Sequence, residues 1–182
     1  MKNVVLALFV FIALTVTQAF AYNLRDFSSD AKILAAMQLL EQNGDYDVFA
    51  NMKKNGVRVK FYNLSGYGNV YATNSYDDFG RRVILINSVY ASAPAEQIAC
   101  LIAHESTHVL RKPNMQEETM ATQKEAMTWI KLKNNSVTYP QTKLTKRLNN
   151  LADLQMASNA DGTNYIQSKI ASSSFYKAQF GI

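Results

Sequence analysis

The chain has 182 residues, of which 48% are hydrophobic and 18% are charged, and its formal net charge is +5. This size and composition fit one globular domain with its own core, and no internal repeat or low-complexity tract is visible in the sequence. The basic residues are scattered and no nucleic-acid-binding module is recognisable, so we expect no nucleic-acid partner and only weak attraction to anionic polymers of the cell envelope.

The N-terminal segment has the pattern of a cleavable signal peptide. Lys2 provides a positive start, Val4–Val16 form an apolar core, and Ala19–Ala21 is a small-x-small cleavage site. The apolar run is short for a membrane span, which argues against a transmembrane anchor. We therefore predict a signal peptide at residues 1–21 and a mature domain at residues 22–182, secreted or periplasmic, without a stable membrane anchor.

The first half of the mature chain predicts one helix and then three strands. Apolar spacing predicts a helix over residues 28–44, capped by Ser29 or Asp30. β-branched and alternating apolar residues predict strands at 57–64, 70–74 and 83–86. The intervening loops are long enough for antiparallel neighbours, so we expect a small antiparallel sheet.

The second half of the chain predicts helices. One begins near Pro94 and ends at Arg111, because the residue before Pro113 resists helical geometry. Others are predicted at 115–133, 142–157 and 165–171, and the composition of the Ser-rich tail from Ser172 suggests a loose conformation. The predicted fold class is α+β, with the sheet first and the helices after it.

The segment LIAHESTHVL contains both histidines of the chain and a glutamate among apolar residues. On a helix, His104 and His108 project from one face a turn apart, so both imidazoles can bind one metal ion. Glu105 lies beside them and can reach a water held on that ion. This is the H-E-x-x-H signature of zinc peptidases, and Zn²⁺ would compensate imidazoles whose burial without partners is costly.

A third protein ligand is expected, because catalytic zinc sites usually keep three protein ligands and one open position. No third histidine exists, so the ligand must be a carboxylate, and we expect it on the next helix. Three glutamates compete there: Glu117, Glu118 and Glu125.

Their positions on that helix separate the three candidates. Glu117 follows Asn114 by three residues and forms a capping box with it. Glu118 lies on a stripe of otherwise small or apolar residues, and a tight hairpin around Pro113 would place it level with His108. We predict Glu118 as the third ligand and Glu125 as an acceptor that supports a ligating imidazole; Glu117 and Glu125 remain alternative ligands.

With these motifs the sequence resembles the small gluzincin metallopeptidases, which pair H-E-x-x-H with a glutamate on the next helix. VILIN, residues 83–87, also resembles the edge strand that borders the cleft in zincin folds. The resemblance spans residues 82–129 and implies a zincin-like fold that hydrolyses polypeptide or peptide substrates. Glu105 would then act as general base on zinc-bound water and afterwards as general acid.

Two further roles follow from the same resemblance. The edge strand would hold an extended substrate through backbone hydrogen bonds. Since no spare histidine remains, any residue that stabilises the oxyanion would have to be a tyrosine or an arginine.

Two other functions compete with this interpretation. A non-catalytic exported protein would use zinc to brace the helical hairpin, and such closed sites take four protein ligands, so Cys100 would have to be the fourth. We instead interpret Cys100, the single cysteine, as a small buried residue that forms no internal disulfide. The other alternative is an enzyme that acts on cell-wall peptides, which the basic charge permits.

Overall fold

The computed structural model describes residues 22–110 and 112–181, and the predicted signal peptide lies outside them. The fold is α+β, as predicted, and the described residues form seven α-helices and a three-stranded sheet. The helices are α1 Ala31–Gln42, α2 Tyr46–Lys54, α3 Ala95–Thr107, α4 Met115–Leu132, α5 Lys143–Asp161, α6 Tyr165–Ser172 and α7 Ser174–Phe180. The strands are β1 Arg58–Tyr62, β2 Ala72–Tyr76 and β3 Arg82–Asn87.

The first helix confirms the sequence prediction and decides which residue caps it. The Asp30 side chain accepts hydrogen bonds from the backbone N–H groups of Lys32 and Ile33, at 2.9 and 3.1 Å. Helix α2 was not predicted. It is only nine residues long, and its buried side chains are Val48, Phe49 and Met52, a pattern too short to be distinctive.

The sheet is mixed, so the prediction of an antiparallel sheet is wrong in part. Its strand order is β1-β3-β2, with β1 parallel and β2 antiparallel to β3. Strand β3 buries Val83, Ile84, Ile86 and Asn87, which lie on both of its faces, and therefore suits the centre of the sheet. The VILIN segment is consequently the central strand, not the edge strand that its resemblance implied.

Helix α3 is buried on all sides and packs along α4 in the predicted hairpin. It ends at Thr107, earlier than the predicted Arg111, and His108 already has an extended backbone with ψ of 123°. Contacts with other elements explain this early end. The Glu117 carboxylate accepts hydrogen bonds from Val109 N and Leu110 N, and an Arg82 guanidinium N–H donates to the His108 carbonyl.

The helices after α3 confirm the predicted pattern and extend it. Helix α4 matches the predicted bounds closely, and α5 begins after Thr142, whose side chain accepts from Thr145 N. The tail predicted to be loose forms α7, because Tyr176 and Phe180 pack against a small core made by α4, α5 and α6. Within residues 22–110 and 112–181, no helix combines the length and apolar character that a bilayer span needs.

Candidate functional site

The predicted ligands His104, His108 and Glu118 lie together where α3 ends and α4 begins. Their ligand atoms all lie within 4.8 Å of one another, and all three residues are buried. The Nε2 atom of His104 is 3.9 Å from Glu118 Oε2, and that of His108 is 3.6 Å from Glu118 Oε1. These three side chains could therefore hold a metal ion.

The spacing of the donor set fits a zinc ion, and the protonation state of His108 suits a metal ligand. Bonds of about 2.0–2.2 Å to a tetrahedral metal place neighbouring ligand atoms about 3.3–3.6 Å apart, so the observed separations need only small adjustments. Burial lowers the pKa of His108 to about 3, and the charges of His104 and Arg82 act in the same direction. His108 is therefore the neutral imidazole that a metal requires.

Glu125 lies beside His104, where a residue that supports this imidazole was expected. Its Oε2 atom lies 2.9 Å from His104 Nδ1, which leaves Nε2 directed at Glu118. Arg147 on α5 binds both Glu125 oxygens, at 2.9 and 2.7 Å. Burial opposes ionisation of Glu125, but the charge and hydrogen bonds of Arg147 lower its pKa to about 2. A charged acceptor of this kind fixes the imidazole orientation.

Glu117 has a structural role, although not entirely the predicted one. Its backbone N–H donates to Asn114 Oδ1 at 2.9 Å, which confirms Asn114 as the N-cap of α4. Its carboxylate, however, accepts from the backbone of Val109 and Leu110 and so holds the segment after His108. The sequence could not indicate this, because those N–H groups become free only when α3 ends early.

Glu105, the predicted base, is buried beside the ligands and is held by a residue that the sequence did not single out. Asn74 on β2 donates from Nδ2 to Glu105 Oε2 at 2.7 Å and to the Glu105 carbonyl at 2.8 Å. Burial raises the pKa values of both Glu105 and Glu118. A cation at the three ligand atoms would compensate these buried charges.

The group lies in a cleft of about 750 Å³. Strand β2 and the loop before it line the cleft, and α7 also contributes residues to it. The Tyr176 side chain on α7 lies near the Glu118 carboxylate, and burial raises the pKa of Tyr176 further above its already high usual value. Sequence reasoning missed Tyr176 because a Ser-rich tail carries no signal for a cleft residue. Aromatic and apolar side chains of the lining include those of Tyr67, Tyr71, Leu110 and Phe175.

Cys100 lies in the hydrophobic core, as interpreted from the sequence. It is fully buried, its thiol donates to the Glu96 carbonyl at 3.1 Å, and burial raises its pKa well above the usual range. It is not a member of the group formed by His104, His108 and Glu118.

No protein-family model matches the chain, and no curated protein or solved structure matches it significantly.

Proposed function

We propose that this protein is a zinc-dependent metallopeptidase with a zincin-like fold that hydrolyses peptide bonds. The observation that carries the proposal is the convergence of two imidazole Nε2 atoms and the Glu118 carboxylate, with Glu105 beside them in an open cleft. The H-E-x-x-H motif and the resemblance to gluzincins support the same assignment. His104, His108 and Glu118 would hold the ion.

In the proposed hydrolysis, the metal ion and Glu105 have different roles. A zinc ion bound here would supply the Lewis acid that lowers the pKa of water and polarises the scissile carbonyl. Glu105 is not in the ligand group, so its carboxylate is free to accept the proton of the attacking water and to deliver it to the leaving amine.

Strand β2 is the edge of the sheet that borders the cleft and would bind an extended peptide. Asn87 N donates to the Tyr71 carbonyl at 2.9 Å, and the register continues with Ala72 opposite Ile86. Because paired and unpaired residues alternate in an antiparallel ladder, the backbone groups of Ala72 and Asn74 point away from β3. The backbone of Ala72 is therefore the first candidate contact for a substrate strand.

We assign Tyr176 as the donor for the developing oxyanion. Its side chain lies near the Glu118 carboxylate, and burial raises its pKa, which keeps the proton on the phenol. The phenol would donate its O–H to the carbonyl oxygen of a substrate bound at this group. The tyrosine or arginine expected in place of a spare histidine would then be a tyrosine on α7.

The N-terminal sequence supports a site of action outside the cytoplasm. We propose that cleavage after Ala21 releases a mature chain that acts outside the cytoplasm. Mass analysis of the protein from its native host would test this, with Tyr22 as the expected first residue.

Metal analysis followed by a peptide-library digest tests the proposed function. The purified mature chain should carry about one zinc per chain, and His104→Ala or His108→Ala should lose it, because the ion requires both imidazoles. Glu105→Gln should retain zinc but lose peptidase activity by about 10²-fold or more, because the amide cannot accept the proton.

The alternative of a bracing zinc site gives a different pattern. Zinc would then be lost in Cys100→Ser, and no peptide would be cleaved by the zinc-loaded wild type. We expect Cys100→Ser to retain full zinc, because the thiol lies in the core. That result would exclude the bracing site and favour the peptidase.

A further inference from the structure

A chain of polar side chains connects the central strand to Glu105. Arg82 on β3 donates from Nη2 to Asn74 Oδ1 at 3.0 Å, and Asn74 donates from Nδ2 to the Glu105 carboxylate at 2.7 Å. The same amide nitrogen also donates to the Glu105 backbone carbonyl at 2.8 Å. Because Arg82 occupies the amide oxygen, the Asn74 side chain must present its N–H groups to Glu105.

Arg82 has a second contact in the same place. Its guanidinium group donates to the backbone carbonyl of His108, the first residue after α3. One arginine on the sheet is therefore bonded both to the residue that holds the predicted base and to the backbone of a predicted ligand. Neither Arg82 nor Asn74 offers an atom to the group of three ligands.

We propose that Asn74 and Arg82 are positioning residues, an inference that in its kinetic part rests on the proposed function. Asn74 fixes the direction of the Glu105 carboxylate relative to the three ligands, and Arg82 fixes both the amide of Asn74 and the peptide of His108. Asn74 acts on the base alone, whereas Arg82 acts on the base and on the metal ligand.

Glu105 needs a positioning residue because a glutamate side chain is long and flexible. A glutamate on a helix has several accessible rotamers, and a misplacement of about 1 Å at a catalytic group can cost about 10²-fold in rate. The hydrogen bond from Asn74 selects one orientation of Glu105 before substrate arrives. A backbone contact at His108, by contrast, sets the direction of an imidazole and hence the metal affinity.

Three variants and one control test the proposal. For each we would measure zinc affinity, melting temperature, and kcat and KM on a peptide that the wild type cleaves. Asn74→Ala should keep zinc affinity within about threefold of wild type while kcat falls by about 10²-fold. Arg82→Ala should lower kcat and also weaken zinc binding by about 10-fold or more. Arg82→Lys should recover part of both losses, because one ammonium can reach only some of these acceptors.

Asn43→Ala is the matched control. Asn43 donates to Asp45 Oδ2 at 3.0 Å, outside the cleft, so its loss should lower the melting temperature without changing kcat or zinc affinity. If Asn74→Ala behaves like Asn43→Ala, with kcat within about threefold of wild type, the positioning role of Asn74 is wrong. If Arg82→Ala binds zinc as tightly as wild type, the role assigned to its contact with His108 is wrong.

A measurement on the metal-free protein separates this proposal from the proposed function. Melting temperatures of Asn74→Ala, Glu105→Ala and the double variant form a cycle that reports their coupling without any activity. We expect the double variant to lose clearly less than the two single losses added together. Additive losses would overturn the inference, whether or not the wild type cleaves peptides. A coupled pair in a protein that cleaves nothing would retain the hydrogen-bond assignment and reject the peptidase.

Discussion

At the scale of single residues, three glutamates of one helix have three different surroundings. Glu117 binds backbone N–H groups, Glu118 faces two imidazoles, and Glu125 joins His104 to Arg147. The difference arises because neighbouring residues of a helix point in different directions, while residues seven apart share a face. Identical side chains can therefore have separate effects on metal affinity and on stability.

The ranking of these glutamates is the first residue-scale prediction. Glu118→Ala should weaken zinc binding by more than about 10²-fold, and Glu125→Ala by about 10–100-fold, because losing a support of a ligand costs less than losing a ligand. Glu117→Ala should mainly lower the free energy of unfolding, by about 1 kcal/mol, through the freed N–H groups. Competition with a chromogenic chelator measures the affinities, and chemical denaturation measures the stability.

The result that would overturn this ranking is specific. If Glu117→Ala or Glu125→Ala abolishes zinc binding while Glu118→Ala does not, Glu118 is not the third ligand.

Tyr176 provides the second residue-scale prediction. Tyr176→Phe removes only the hydroxyl near Glu118 and keeps the ring that packs on the small core. Turnover should fall by about 10²-fold, the usual cost of one oxyanion donor, while zinc affinity stays near the wild-type value. Lys177→Ala, one residue away on α7, is the control. Equal turnover of Tyr176→Phe and wild type would remove the phenol from the mechanism.

At the scale of secondary-structure elements, local capping and tertiary contacts decide different helix ends. Helix α1 begins where Asp30 binds two orphan N–H groups, so a local contact suffices. Helix α3 ends where Glu117 and Arg82 bind the backbone of residues 108–110, and both partners come from other elements. The first boundary follows from neighbours in sequence and the second does not.

The cap of α1 gives an element-scale prediction. Asp30→Ala should lower the free energy of unfolding by about 1 kcal/mol, because two N–H groups lose their acceptor. For a domain of this size that corresponds to a melting temperature lower by about 2–4 °C. Ser29→Ala is the control, since Ser29 was the other candidate cap and is exposed. A larger loss in Ser29→Ala than in Asp30→Ala would reverse the assignment of the cap.

At the scale of the whole molecule, one buried carboxylate ties the N-terminal helices to α4. Asp45, between α1 and α2, is 2.9 Å from Lys124 Nζ and 3.3 Å from Lys131 Nζ, both on α4. Burial opposes its ionisation, but hydrogen bonds from Asn43 and Lys124 and the charges of both lysines lower its pKa overall. The folded state therefore favours the charged form.

The acid dependence of stability follows from the sign of that shift. Because the folded pKa of Asp45 lies below its unfolded value, its contribution is complete above about pH 4 and is lost as the pH falls through the folded value. Asp45→Asn should lower the free energy of unfolding by about 2 kcal/mol at pH 7 and by clearly less at pH 3. Denaturant titrations at both pH values measure this difference.

Asp47→Asn is the control for this prediction. Asp47 contacts the same lysine at 2.9 Å, but its side chain is 64% exposed, so the effect should be small at both pH values. A loss in Asp45→Asn that is the same at pH 3 and pH 7 would contradict the assigned titration.

The sequence alone determined the α+β class, the bounds of α4 within a residue and the identity of the candidate ligands. These features depend on residues close together in the chain: apolar periodicity, a cap at Asn114 and the spacing of His104 and His108. Glu118 could be selected because a buried face at helical spacing restricts which glutamate of α4 points inward. The support of His104 by Glu125 was predicted by the same periodicity.

The tertiary structure decided the rest. Contacts between distant segments determine the central position of β3, the early end of α3 and the formation of α7 by the tail. They also determine the positions of Asn74, Arg82 and Tyr176 at the site. A polar side chain such as Asn74 has no periodic signal, and its hydrogen bonds to Glu105 exist only after β2 has packed beside α3. Local propensity determines the helix or strand on which a residue lies. The packing of helices and strands determines its hydrogen-bond partner, because a buried polar group must be paired with whichever group the fold brings near it.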